Sequence, residues 1–271
     1  MAVRVIYIIP NHPHCKPWHE ARRRATEALE DIQCFYADGM EQCGYGQKTF
    51  DIATDESGQI VLHQINSSLP PEAFTMSTGK EFVDLCNEEA RREGLFDLKY
   101  RTVFFVEAYS ITNGVVSGAR TLGSKDRGGA FLSSLHLKLA RREWLDNSGT
   151  YVGAILGGVS DQSLQPWHGR GTEYGDLAGA GFGAIAHELA HSFGLSDDRF
   201  DTQNRRGSLT GNGWRGMRGY FRPNLTRDCC VLRQYDADLL NSSEFFAIRT
   251  LKPKSGDFGN CEKGRLRDVV D

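Results

Sequence analysis

His187-Glu188-Leu189-Ala190-His191-Ser192-Phe193-Gly194-Leu195-Ser196-Asp197 is the stretch on which the reading of this sequence turns. Two histidines four residues apart project from one face of a helix about one turn apart, which is what a shared metal ion requires. Glu188 follows the first histidine and lands near that face, where a carboxylate can take a proton from metal-bound water. Gly194 lets the chain turn sharply, and Asp197 brings an oxygen ligand three residues later. A pair of half-buried polar side chains is the plain alternative. The three specified residues of H-E-x-x-H arise by chance at on the order of 1 in 10⁴–10⁵ positions, so the spacing favours a catalytic Zn²⁺ site.

The rest of the chain is compatible with an ordinary globular enzyme. Its 271 residues are 39% hydrophobic, enough for a sizeable core. The formal charge of −3, from 32 basic and 35 acidic residues, gives no basic footprint for nucleic acid or an anionic membrane. No apolar run approaches the roughly 18 residues that span a bilayer, and Val3 to Ile9 reads as a buried strand, not a signal peptide. Seven cysteines, an odd number, leave at least one thiol outside any intrachain pairing. Cys34 and Cys43 are close enough in sequence to bridge, and no C-x-x-C pair suggests a zinc ribbon.

Periodicity supplies the elements. A helix is expected from Trp18, with Trp18, Ala21, Ala25, Leu29, Ile32 and Phe35 on its apolar stripe and Arg22-Arg23-Arg24 on solvated turns. Short strands are expected at Lys48 to Ile52 and Ile60 to Ile65, and a second helix at Gly79 to Arg92. Thr102 to Ala108, Val115 to Leu122, Ala130 to Leu137 and Tyr151 to Leu156 read as further strands. A polar loop from Ser160 to Asp176 leads to the metal helix, Leu177 to Phe193, and a last helix is expected around Asp236 to Phe246. The order suggests an α/β (α+β) fold, a mixed twisted sheet packed on helices with the metal helix beneath it. No linker interrupts 1–271, so a single domain is expected, with 1–176 as its sheet-and-helix part and 177–271 carrying the metal helix, an irregular stretch and the last helix.

The third ligand is the open point. Asp197 can return to the metal after the turn at Gly194, with Asp198 and Asp201 as neighbours able to do the same. A different zinc-protease design takes a glutamate from a later helix, and Glu244 would serve, leaving Gly194 and Asp197 without a role. His12, His14 and Cys15 sit among prolines and read as surface loop, as does His168.

His187, Glu188, His191, Gly194 and Asp197 match H-E-x-x-H-x-x-G-x-x-[HD], and the segment resembles the signature of metzincin zinc endopeptidases. The aspartate version is similar to that of the snapalysin group. The resemblance implies zinc held by His187, His191 and Asp197, Glu188 as general base, and a methionine turn beneath the metal, for which Met217 is the candidate. It implies a peptide or protein substrate, bound as an added strand on a sheet edge that order alone suggests lies near Gly129 to Ser134. Some members place a tyrosine two residues after that methionine; here Tyr220 is three residues on, as a candidate oxyanion contact. Enzymes of this kind mostly act outside the cell, whereas the odd cysteine count points the other way. Another zinc amidohydrolase and a non-catalytic zinc or peptide-binding protein are the rival readings, and an intact Glu188 argues against the latter.

Overall fold

The computed structural model describes residues 1–112, 115–117, 119–149, 173–198, 206–225 and 228–249. In chain order, β1 (Ala2–Ile9) leads through α1 (Ala21–Gln42) to the short strands β2 (Lys48–Thr49), β3 (Asp51–Ile52) and β4 (Leu62–Asn66). Then come α2 (Pro71–Thr75), α3 (Gly79–Arg92), β5 (Tyr100–Val106), the paired strands β6 (Ser110–Thr112) and β7 (Val115–Ser117), β8 (Thr121–Ser124), β9 (Gly129–Ser133) and α4 (Ser134–Leu139). The helix that bears His187 and His191 is α5 (Tyr174–Phe193), followed by β10 (Arg206–Ser208), α6 (Arg218–Phe221), β11 (Cys229–Val231), α7 (Gln234–Asn241) and β12 (Ala247–Ile248). The strand expected at Tyr151 to Leu156, the loop bearing His168, Asp201 and Cys261 lie outside the described residues.

Six strands form the main sheet. β1 pairs in parallel with β5 on one side, and with β3 and then β4 on the other. β9 extends β5 in parallel, and β8 closes the sheet antiparallel to β9. Strand alternation sends Val3, Val5, Tyr7, Val103 and Phe105 into a core shared with α1 and α5, and Ile6, Ile8, Phe104 and Val106 into a second core with α2 and α3. A mostly parallel sheet covered on both faces is the outcome, a mixed α/β architecture. Helix α3 is capped by Thr78 and Glu81 in a capping box, which fixes its start at Gly79, where periodicity places it.

Several expectations change. The run from Ala130 to Leu137 is a strand only to Ser133; from Ser134 the chain is helical. Leu135, Leu137 and Leu139 alternate like a strand, yet every residue of this short helix but Lys138 is buried, so the alternation carries no strand information. Among the described residues the edge on this side of the sheet is β8, not the segment near Gly129, because β9 lies between β5 and β8. Arg22 and Arg23 are exposed as expected, but Arg24 is buried and pairs with Glu143, tying α1 to the turn at Arg142–Trp144. Cys34 and Cys43 are not bridged to each other; the Cys43 thiol faces the Leu232 carbonyl at 3.8 Å. No described helix is long and apolar enough to cross a membrane.

Candidate active site

Helix α5 is apolar nearly all round, and its last turns carry His187, Glu188 and His191. It ends at Gly194, whose φ of 103° is the left-handed conformation glycine adopts without a Cβ penalty. Gly194 N–H donates to the His191 carbonyl and Leu195 N–H to that of Ala190, a Schellman closure that reverses the chain. The reversal returns Asp197 to the helix end.

There, His187, His191 and Asp197 place their ligand atoms within 4.8 Å of one another. The two Nε2 atoms lie 3.0 Å apart, and Asp197 Oδ1 is 3.2 Å from that of His191 and 3.9 Å from that of His187. Each ring is oriented from behind. His187 Nδ1 meets the Leu209 carbonyl at 2.7 Å, and His191 Nδ1 meets that of Leu195 at 2.8 Å. A carbonyl can only accept, so both protons sit on Nδ1 and both Nε2 lone pairs face the same space. Two lone pairs at this distance repel unless a cation lies between them. Neighbouring donors around four-coordinate zinc stand roughly 3.3 Å apart, so this donor set fits such an ion. Burial and the adjacent His191 pull the His187 pKa down to about 4, which keeps the ring neutral and able to ligate.

Glu188 turns toward the edge strand. It is buried, and that burial pushes its carboxyl up to about 7, while hydrogen bonds from the Thr121 side chain and the Gly123 backbone pull the other way. β8 comes so close that a Cβ on Gly123 would lie 2.1 Å from the Glu188 carbonyl oxygen and 2.7 Å from His191 Cβ. An open cleft of about 570 Å³ runs between 121–125 and the helix end, with His187, Glu188, His191 and Asp197 on its wall.

The other candidates fall in different places. Met217 is fully buried, with its Cβ against Gly183, one turn before His187 on the helix. Asp198 turns its carboxylate away from the cluster to Ser208 and Arg233. Glu244 is exposed and feels Arg101 at the start of β5, so it is not among the residues that converge. Tyr220 donates its hydroxyl to Asp38 at 2.7 Å, packs edge-on to Phe35 of α1 and is not among the residues that line the cleft. His12 and His14 face each other, and the Cys15 thiol bonds the Glu107 carbonyl. Leu195, Leu209, Thr121 and Gly123 act through backbone or a single hydroxyl, and no sequence motif marks them. Trp214, whose ring lies 5.9 Å from that of His187, was equally silent.

No known family profile matches the sequence, and no curated protein is similar to it. The fold is shared with OgpA. Wild-type OgpA from Akkermansia muciniphila superposes with a TM-score of 0.56 in one crystal form and 0.59 in another, at 16% identity over 92% of this chain. A catalytically inactive OgpA in complex with an O-glycopeptide (glycodrosocin) substrate superposes with a TM-score of 0.54 over 91% of this chain, again at 16% identity. The chain spans 61–62% of the length of OgpA, less than two thirds.

Proposed function

We propose that the protein is a zinc-dependent endopeptidase of metzincin type, with His187, His191 and Asp197 as ligands and Glu188 as general base. The observation that carries this is the convergence of two carbonyl-anchored imidazoles and a carboxylate beside a buried glutamate. A zinc ion held there supplies a Lewis acid that acidifies water and polarises a carbonyl. Glu188, buried beside the two imidazoles, is placed to accept a proton and hand it to a leaving amine. Thr121 and Gly123 hold that carboxylate in place from the edge strand. Among the described residues no strand pairs with the outer edge of β8, to which an extended peptide can add as a strand.

OgpA, captured with an O-glycopeptide substrate, makes O-glycosylated peptides the class to assay beside unmodified ones. Glu188→Gln is expected to lower turnover by about 10²–10⁴-fold while the protein keeps its zinc. His191→Ala is expected to lose the metal. Equal activity of parent and Glu188→Gln, or a parent that takes up no zinc, overturns the proposal.

A further inference from the structure

The Asp197 carboxylate is 71% exposed, and among the described residues it meets only the two imidazoles. Nothing on its own side chain therefore fixes where it points in the absence of metal. Its neighbour is built in the opposite way. The Asp198 side chain is only 11% exposed, accepts the Ser208 hydroxyl at 2.9 Å and pairs with Arg233 at 2.6 Å. Its backbone N–H donates to the Thr210 carbonyl at 3.1 Å.

The segment that receives these bonds also serves the first ligand. Leu209, between Ser208 and Thr210, is the residue whose carbonyl orients His187. The segment is itself anchored: β10 pairs with β11, Leu209 N–H donates to the Val231 carbonyl, and the Thr210 hydroxyl reaches Asp236 at 3.4 Å. Arg233, at the start of α7, balances the Asp198 charge. One three-residue stretch thus holds the ring of His187 directly and the loop of Asp197 through Asp198.

We propose that Asp198 is a positioning residue of the metal site, locking the loop that bears Asp197 onto the Ser208–Thr210 segment so that the first and third ligands share one frame. The inference rests on the zinc reading above and adds a residue that does not itself ligate. Partners behind metal ligands set ligand orientation, and their loss costs about 10–100-fold in metal affinity.

Zinc affinity is measured by chelator competition for the parent, Asp198→Asn and Ser208→Ala. The visible spectrum of the cobalt-loaded proteins reports ligand geometry, and melting of the metal-free proteins reports folding. Asp198→Asn is expected to bind zinc about 10–100-fold more weakly, with a shifted cobalt spectrum and a metal-free melting temperature close to that of the parent. Ser208→Ala, a smaller cut, is expected to weaken zinc in the same direction by less. Unchanged affinity and spectrum in both variants overturn the role of Asp198 while a zinc-binding parent leaves the enzyme reading standing. Zinc loss in both variants that merely tracks loss of metal-free folding overturns it too. A parent that binds no zinc overturns the metal reading, and the role of Asp198 with it.

Discussion

The two halves of helix α5 are held in different ways. Along its first half the rest of the chain comes in by backbone: a Cβ on Gly179 would lie 2.7 Å from the Arg218 amide nitrogen, on Gly181 2.6 Å from that of Ala140, and on Gly183 1.8 Å from the Trp214 carbonyl oxygen. Two segments, the end of α4 and the stretch from Trp214 to Arg218, grip the helix where it has no side chain. Its last turns, from His187, bury Leu189, Ala190 and Phe193 on one face and meet polar contacts on the other: the Leu209 and Leu195 carbonyls behind the imidazoles, and the edge strand beside Glu188. Glycine in a helix interior costs about 1 kcal/mol relative to alanine. Here that cost is offset by close packing, which fixes the axis so that the helix end can present His187, Glu188 and His191 accurately.

Putting a methyl group into each half tests the contrast most severely. Gly183→Ala forces a Cβ onto a backbone oxygen that cannot rotate away, and overpacking of this kind costs about 1–3 kcal/mol or more even after the gain in helix propensity. The expected result is a large fall in the urea midpoint of the metal-free protein. Gly123→Ala strikes the other half, displacing β8 from Glu188 and His191. Its stability is expected to fall less, and turnover to fall by at least about tenfold with zinc still bound, since a displaced catalytic carboxylate is costly. If Gly123→Ala unfolds the protein while Gly183→Ala leaves it stable, the division between grip and display is wrong.

The same contrast separates what the sequence makes legible from what it hides. The display half is local in sequence: His187, Glu188, His191, Gly194 and Asp197 fall within one helix end and its turn, so spacing alone brought them together. β1, α1, α3 and β5 were legible from periodicity for the same reason. The grip half is made by partners far along the chain, Arg218, Ala140 and Trp214, and the sequence around Gly179 to Gly183 carries nothing that names them. The carbonyls of Leu195 and Leu209 were invisible because every residue has one. The edge strand was misplaced because order along the chain does not give order in the sheet: β9 follows β8 in sequence yet lies between it and β5.

A smaller effect, dependent on pH, belongs to the grip. His136 lies in α4, whose His136 carbonyl borders Gly181, and its Nδ1 contacts the Ser133 carbonyl at 3.0 Å. Burial lowers its pKa to about 4, with the Ser133 carbonyl pulling the other way. The unfolded chain takes up this proton near pH 6.5 and the folded protein only near 4. Stability contributed by the neutral ring is therefore present above pH 6.5 and lost as the pH falls toward 4, by at most about 3 kcal/mol. His136→Gln removes the titration, so the stability gap between parent and variant should narrow as the pH is lowered through that window. Urea unfolding at several pH values measures it; a gap independent of pH refutes the assignment.

The mildest cut falls where the halves meet. Tyr36 of α1 donates its hydroxyl to the carbonyl of Ala186, the residue before His187, at 2.9 Å. Its ring packs edge-on against Phe50, Phe193 and Phe246, contacts that phenylalanine would keep. Tyr36→Phe removes one buried hydrogen bond while the Ala186 carbonyl retains its place in the helix ladder, so the cost in unfolding free energy is about 1 kcal/mol. If the two halves are as separate as their contacts suggest, zinc affinity is unchanged by this substitution, because no ligand or ring-orienting carbonyl is touched. A weakened zinc affinity at full folding would mean that the grip on the buried half reaches through Ala186 into the metal site.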